Sequence, residues 1–336
     1  MPVFGSGIIP SGNLGTELSY VTRRAFVPKL IVQLYNTSPT IATLFANAQR
    51  ATGGVSSVSV PVQGAPFVTG AWSSYSGNFN QPTTQQGAYL SESNLKLFIV
   101  PVPFLGMEAA VQMDHAIIPL IEARMNDATN VTMDTFSTSL FNNYTDPAQF
   151  IGLPGAIDDG TNTSTYGNIS RTSNTWWRSK VYNAGSINPT RANVLQYIMG
   201  VCKNGGEMPS FGVCGIGTWT LLAQDFVAQE TYMRGMGAGG EGEEGDGPRS
   251  GFRGLLIGDV PIYADPYCPE GTVYLLQNNY LNFYVHESAS FAFTGFESTL
   301  SNWQLGYVGA LVTIGEIINT KPKSCGRVGS YNYLTV

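Results

Sequence analysis

The sequence predicts an α+β fold, and three stretches carry that prediction. Apolar residues recur with a period of two between Gly53 and Pro103, a helical pattern runs from Pro119 to about Tyr144, and the tail from Thr272 onward is mostly strand-like. At 336 residues the chain is long enough to bury about 75% of its unfolded surface as a compact body, without disulfides or a metal to staple it.

The first 52 residues read as an arm. A Gly/Pro/Ser opening is followed by a short amphipathic segment, Pro39 to Ala48, in which Ile41, Leu44 and Phe45 recur at helical spacing. Ser38 supplies its N-cap and Pro39 its first helical position. Residues 53–105 read as a long hairpin: Val58, Val60 and Val62 alternate with Ser57, Ser59 and Pro61, and Leu95 to Phe104 returns after a polar stretch from Thr69 to Gly87. Pro61, Pro66, Pro101 and Pro103 place its strands at sheet edges. A two-stranded ribbon of that length is marginal alone in water, so it is expected to protrude and dock on something else.

Residues 106–149 contain the best helix. Leu120, Ile121, Met125, Ala128, Val131, Phe136, Leu140 and Tyr144 fall on one broad face, with Pro119 in the first turn and Asp146-Pro147 as the stop. Residues 150–270 read as α/β, beginning with an extended segment from Ile151 to Ile157. A helix follows Asn188-Pro189 and ends at Gly205-Gly206, Phe211 to Ile216 is a strand, and Thr218 to about Arg234 is a helix. Gly254 to Asp265 forms two short strands around a Gly258-Asp259 turn. Strands at Val273 to Leu276, Leu281 to His286, Phe291 to Phe296 and Gln304 to Ile317 complete the pattern.

Charge is sparse. Asp, Glu, Lys and Arg make up 12% of residues, against roughly 25% in an ordinary soluble domain. One physical reading is that much of the surface is covered by other subunits, where charged groups are depleted; compositional drift in a β-rich chain is the other. The net charge of −6 excludes a general nucleic-acid-binding role built on a basic stripe. It suits a container wall that does not adhere to a polyanion inside.

Candidate chemical sites are few. Cys202, Cys214, Cys268 and Cys325 are widely spaced with no C-x-x-C pair, so buried thiols are expected and no metal site. The G-x-G-x-x-G at Gly237, Gly239 and Gly242 follows a helix and carries Glu241, Glu243, Glu244 and Asp246, which would repel a pyrophosphate. A solvated, mobile loop is the expectation there. His115 and His286 sit in no nucleophile motif, and Trp176-Trp177 beside Arg171 and Arg178 reads as buried packing with cation–π contact. No catalytic residue, cofactor or metal is predicted. The opening residues lack a signal-peptide pattern, no stretch reaches about 18 apolar residues, and no membrane partner is expected.

In this order the pieces resemble the subunit of tailed double-stranded DNA bacteriophage capsids, the Hong Kong 97-like capsid fold. More specific is "FIGLPGAIDDGTNTSTYGNISRTSNTWWRSKV", Phe150 to Val181, with its Gly-Leu start, Tyr-Gly-x-Ile-x-Arg core and paired Trp. "LLIGDVPIYADPYCPEGTVYLL", Leu255 to Leu276, is similar to the family's strand pair and Pro-containing turn. The resemblance implies an N-terminal arm (1–52), an extended hairpin loop (53–105), and a spine helix with the first part of a peripheral domain (106–149). An axial domain (150–270), a peripheral sheet (271–317) and a C-terminal segment returning to the axial domain (318–336) would follow.

It also implies a function: a major capsid protein of the virion, not an enzyme, assembled in the host cytoplasm as pentamers and hexamers of itself in an icosahedral shell. A portal protein, a decoration protein and enclosed DNA held without sequence specificity are the implied partners. Because the arm begins almost at Met1, with no charged helical extension, a separate scaffolding protein or a previously processed chain is expected. The hairpin would lie across a neighbour's spine helix through Val58, Val60, Val62, Trp72, Tyr75, Phe79, Leu97 and Ile99. Lys96, the hairpin's single lysine, is expected to be a solvated or salt-bridged strand residue rather than a covalent cross-linker. A cargo-holding bacterial nanocompartment, and a β-rich binding module or hydrolase, are the alternative readings.

Overall fold

The computed structural model describes residues 38–51, 56–66, 72, 87–105, 120–142, 146–233, 254–298 and 306–335. The chain divides into two compact units. The larger takes in Thr37–Leu97, Phe136–Glu287 and Ile314–Val336; the smaller draws on Phe98–Thr135 and Ser288–Thr313.

The larger unit is built on a mixed six-stranded sheet. Its order is Lys180–Ile187, Gly326–Tyr331, Val273–Leu276, Phe211–Cys214, Val260–Ala264 and Leu255–Ile257. The alternation of Val260 with Ile262 and of Val273 with Leu275 sends one set of side chains to a common face. There Val194, Ile198 and Val201 of the helix Arg191–Gly205, and Leu222 of the helix Ile216–Met233, cover them. Thr190 caps the first of these helices through its side chain, and Gly206 closes it in the left-handed region at φ 77°. Gly258 and Asp259, both at positive φ, make the tight turn that the sequence predicts between the edge strand Leu255–Ile257 and its neighbour Val260–Ala264. The strand Val273–Leu276, expected to belong with the strands after it, lies instead inside this sheet between Phe211–Cys214 and Gly326–Tyr331.

A second strand system in the same unit pairs Leu281–His286 with Gln49–Ala51 in parallel and with Ile314–Asn319 antiparallel. Beside it, Phe45, Phe136, Phe150 and Phe283 form a ring cluster with centroids 5.1–5.9 Å apart. Phe45 arrives on the helix Pro39–Ala46, whose first turn has the predicted Ser38 cap, with the Ile41 N–H donating to Ser38 Oγ.

In the smaller unit, Ala292–Phe293 and Glu297–Ser298 pair in turn with the strand segment around Leu311 and Val308. The strand expected from Phe291 to Phe296 is therefore shortened to Ala292–Phe293, with Glu297–Ser298 a separate strand beyond it. Phe291 (φ 51°) and Gly295 (φ 85°) take the chain out of extended geometry at its ends. The long helix runs Leu120–Phe141, about 33 Å at 1.5 Å per residue; Pro119 and Tyr144 lie outside the described residues. In this unit Thr129, Thr132 and Thr135 each donate their hydroxyl to the carbonyl four residues earlier, so they cost the helix no unsatisfied polar group.

Two further expectations are corrected. Ile151 to Ile157 is not extended: Leu153–Ala156 forms one helical turn, with Pro154 near its start, where a fixed φ and a missing N–H fit the helix. The hairpin's returning strand is Ala88–Asn94, which pairs antiparallel with Ser57–Gln63. The apolar run expected in that role, Lys96–Leu105, pairs instead with Gly306–Asn319. Its greater hydrophobicity takes it to a larger sheet, and the polar Ala88–Asn94 is left for the two-stranded ribbon.

Candidate functional site

The segment from Phe150 to Val181 folds into a compact knot in which the motif residues brace one another. Thr165–Tyr166 and Ile169–Ser170 form a hairpin turned by Gly167 (φ 56°) and Asn168 (φ 61°). Arg171 is fully buried and spans the knot. Its Nη1 donates to Gly155 O and its Nη2 to Ala156 O, both at 2.8 Å, and its guanidinium lies 4.8 Å from the centre of the Tyr166 ring. The Tyr166 carbonyl accepts from Trp177 Nε1 (2.9 Å), and the Tyr166 hydroxyl accepts from the Asn319 N–H (2.8 Å). The cation–π contact expected at the paired tryptophans is made by Arg171 on Tyr166. Gly152 is required by close approach: a Cβ there would lie 2.7–2.9 Å from the carbonyl oxygens of Leu140, Ser139 and Asn142.

The hairpin ribbon rests on this knot. The Glu92 N–H donates to Gly167 O (3.0 Å), Asn168 Nδ2 donates to Glu92 Oε2 (3.3 Å), and Tyr89 packs on Trp176 with ring centroids 4.9 Å apart and planes tilted by 45°. Tyr89, Ser91 and Ser93 lie opposite Val62, Val60 and Val58, so the three valines share the face turned toward their own chain and are half-buried there. The other face carries Leu90, 57% exposed, opposite Pro61. Among the other predicted contacts, Leu97 and Ile99 are solvent-exposed on Lys96–Leu105, and Trp72 is fully exposed. Tyr75 and Phe79 lie outside the described residues.

Four carboxylates, none singled out by the sequence reading, act as anchors: Asp158, Asp265 and Glu316 are buried and Glu270 is exposed. Asp265 accepts from Ser38 Oγ (2.5 Å), Thr40 Oγ1 (2.6 Å) and the Tyr267 N–H (3.0 Å), which fixes the start of the first helix. Asp158 Oδ2 accepts from the N–H groups of Gly160, Asn162 and Thr163. Glu270 caps the helix Ile216–Met233 by accepting from the N–H groups of Gly217 and Thr218. Glu316 is 1% exposed and its Oε1 accepts from the N–H groups of Ile151 (2.7 Å) and Ile317 (3.2 Å). Burial pushes its carboxyl up to about 8, against the opposing pull of those two donors and of Lys96. The anchors at Asp265, Glu270 and Glu316 are invisible in a one-dimensional pattern, because these acids meet donors far away along the chain, whereas Asp158 closes a local turn.

Lys96 is half-buried and donates to Pro147 O (2.7 Å), a carbonyl partner in place of the salt bridge or open solvent expected for it. All four cysteines are free. Burial pushes the Cys214 and Cys268 thiols up and that of Cys325 up to about 11, which holds them as protonated, unreactive thiols. Among the described residues no group of three or more His, Cys, Asp or Glu side chains could hold a metal ion. No described helix is long and apolar enough to cross a membrane. His115 and the loop from Gly235 to Gly247 lie outside the described residues.

Comparison of the fold with solved structures gives one architecture. The capsid asymmetric unit of cyanophage A-1(L) superposes over 92% of this chain and 97% of its own, with a TM-score of 0.67 at 14% identity. The chain has the Hong Kong 97-like capsid fold. The same capsid fold is matched in the holo-SrpI encapsulin complex from Synechococcus elongatus PCC 7942, with a TM-score of 0.57 at 8% identity over 96% of this chain and 98% of that one. It is matched again in the capsid of a native GTA particle, with a TM-score of 0.57 at 9% identity over 96% and 100%. No family model and no curated protein matches the sequence.

Proposed function

We propose that this chain is a major capsid protein that assembles with copies of itself, as pentamers and hexamers, into an icosahedral shell enclosing double-stranded DNA. The observation that carries the reading is the near-complete coverage of both partners in the fold comparison: the chain has the whole shell subunit and little besides. Its chemistry agrees. The surface is poor in charge, and exposed apolar side chains at Trp72, Leu90, Leu97 and Ile99 are of the kind that inter-subunit contacts cover. Portal, decoration and separate scaffolding proteins are the proposed further partners, and the virion is the proposed location. The encapsulin match supports a second reading, a shell around protein cargo, which purified particles containing protein and no DNA would establish.

The outer part of the hairpin is proposed to reach a neighbouring subunit, while its base is held by the knot in its own chain. Deleting residues 69–87 is therefore expected to leave a cooperatively melting monomer with near-native circular dichroism that no longer forms closed shells. Loss of the monomer's own melt would make the segment part of its core.

The shell is also proposed to be held without covalent links. The Lys96 amine already donates to the Pro147 carbonyl at 2.7 Å and serves as a hydrogen-bonded strand residue. Boiled particles should give a single band near 36.1 kDa on a denaturing gel. A ladder that vanishes in Lys96→Ala would contradict this.

A further inference from the structure

Three lysines from separate parts of the chain converge around the short 3-10 helix Pro322–Ser324 of the larger unit. Lys323 lies within it. Lys203 stands in the last turn of Arg191–Gly205, and that turn presses on the 3-10 helix: Asn204 Nδ2 donates to Lys323 O (3.3 Å), and a Cβ on Gly205 would lie 2.6 Å from Ser324 Cα. Lys180 opens the edge strand, where its N–H donates to Cys325 O (3.4 Å) and it stands opposite Gly326 in parallel register.

Lys180 and Lys203 are exposed and Lys323 is half-buried, and no carboxylate pairs with any of the three among the described residues. A fourth amine, Lys321, already holds Glu207 at 2.6 Å and lies over the Tyr280 ring at 4.7 Å. Placement at a helix C-terminus explains Lys203 by itself, since a cation there complements the helix dipole; it does not explain Lys180 or Lys323.

Three cations without a carboxylate partner among the described residues, of which Lys180 lies 5.9 Å from the centre of the Tyr182 ring, brought together by these contacts in a chain with net charge −6, are a local reversal of sign. Lysines are flexible point charges, suited to a run of phosphates on a polymer rather than to forked recognition of one anion. We propose that this face, formed by Lys180, Lys203 and Lys323, holds the phosphate backbone of double-stranded DNA without reading its sequence. The proposal rests on the shell reading for the identity of the polyanion.

The test is fluorescence anisotropy of a labelled duplex of arbitrary sequence with the full-length chain, titrated between about 50 and 200 mM salt. Replacing all three lysines with Gln should make the log–log salt slope shallower by about 2.7, a loss of roughly 40-fold in the affinity contrast across that range. The triple Arg variant should bind like the parent, and Arg50→Gln, an exposed cation elsewhere, should leave binding unchanged. Circular dichroism melts establish that the variants are folded. Duplex binding by the folded triple Gln variant equal to the parent's overturns the proposal, and so does stronger binding of anionic phospholipid vesicles than of the duplex. Shell formation is scored separately by electron microscopy: its absence in the parent chain both with and without a scaffolding protein would sink the shell reading, while the salt titration decides the DNA face.

Discussion

Arg171→Met should cost about 3–5 kcal/mol of unfolding free energy, the largest effect expected of a single substitution in this chain. The guanidinium is sealed in the knot, where two of its nitrogens satisfy the carbonyls at the end of the Leu153–Ala156 turn while its plane covers Tyr166. Methionine fills part of the volume and leaves those carbonyls without donors in a dry site. Arg171→Lys should recover only part of the loss, because one ammonium cannot present two parallel donors. Urea unfolding of the monomer measures both. A loss below about 1 kcal/mol for Arg171→Met would mean that water takes over the carbonyls and that the knot is less sealed than its burial indicates.

The second large effect is in pH. The Glu316 carboxyl titrates near 8 in the folded chain against 4.5 for an ordinary glutamate. Between those values the folded state keeps a proton that the unfolded state has released, so stability falls as pH rises from about 4.5 and levels off above about 8. Each pH unit of the window is worth about 1.4 kcal/mol, which makes the total a few kcal/mol. Glu316→Gln keeps an oxygen to accept from the N–H groups of Ile151 and Ile317 and carries no charge to desolvate. It should be the more stable chain at pH 8 by about 3 kcal/mol, with a nearly flat profile between pH 5 and 8. A parent profile that is flat there, or a Gln variant less stable at pH 8, contradicts this account of the buried acid.

The local grammar of the chain was legible in its sequence where a short-range rule decides the outcome. Ser38-Pro39 starts a helix, Gly206 ends one, and Gly258-Asp259 turns a strand pair, each at the place its chemistry requires. Pairing was less legible. Alternation in Lys96–Leu105 announces a strand but does not name its partner, and the polar Ala88–Asn94 hides as a strand because two of its three inward positions, Ser91 and Ser93, are serines. Ser91 and Ser93 are small enough to be buried, and Ser91 lies beneath Gly167. For the candidate site, Val58, Val60 and Val62 were readable as one face, yet nothing local tells whether a neighbour or the chain itself covers it. The knot was flagged through Tyr166, Arg171 and the paired tryptophans as a resemblance. The reason for those residues, a buried cation serving carbonyls 15 and 16 positions earlier, is a three-dimensional fact.

Light scattering with electron microscopy of the purified chain over a rising concentration series reads whether this chain builds a curved lattice of itself. The expected result is a steep transition from subunits or small rings to particles of very high mass, seen as closed shells when scaffolding is supplied and as shells or curved sheets without it. A chain that remains a monomer or small soluble oligomer at every concentration, with or without its scaffold, would contradict it.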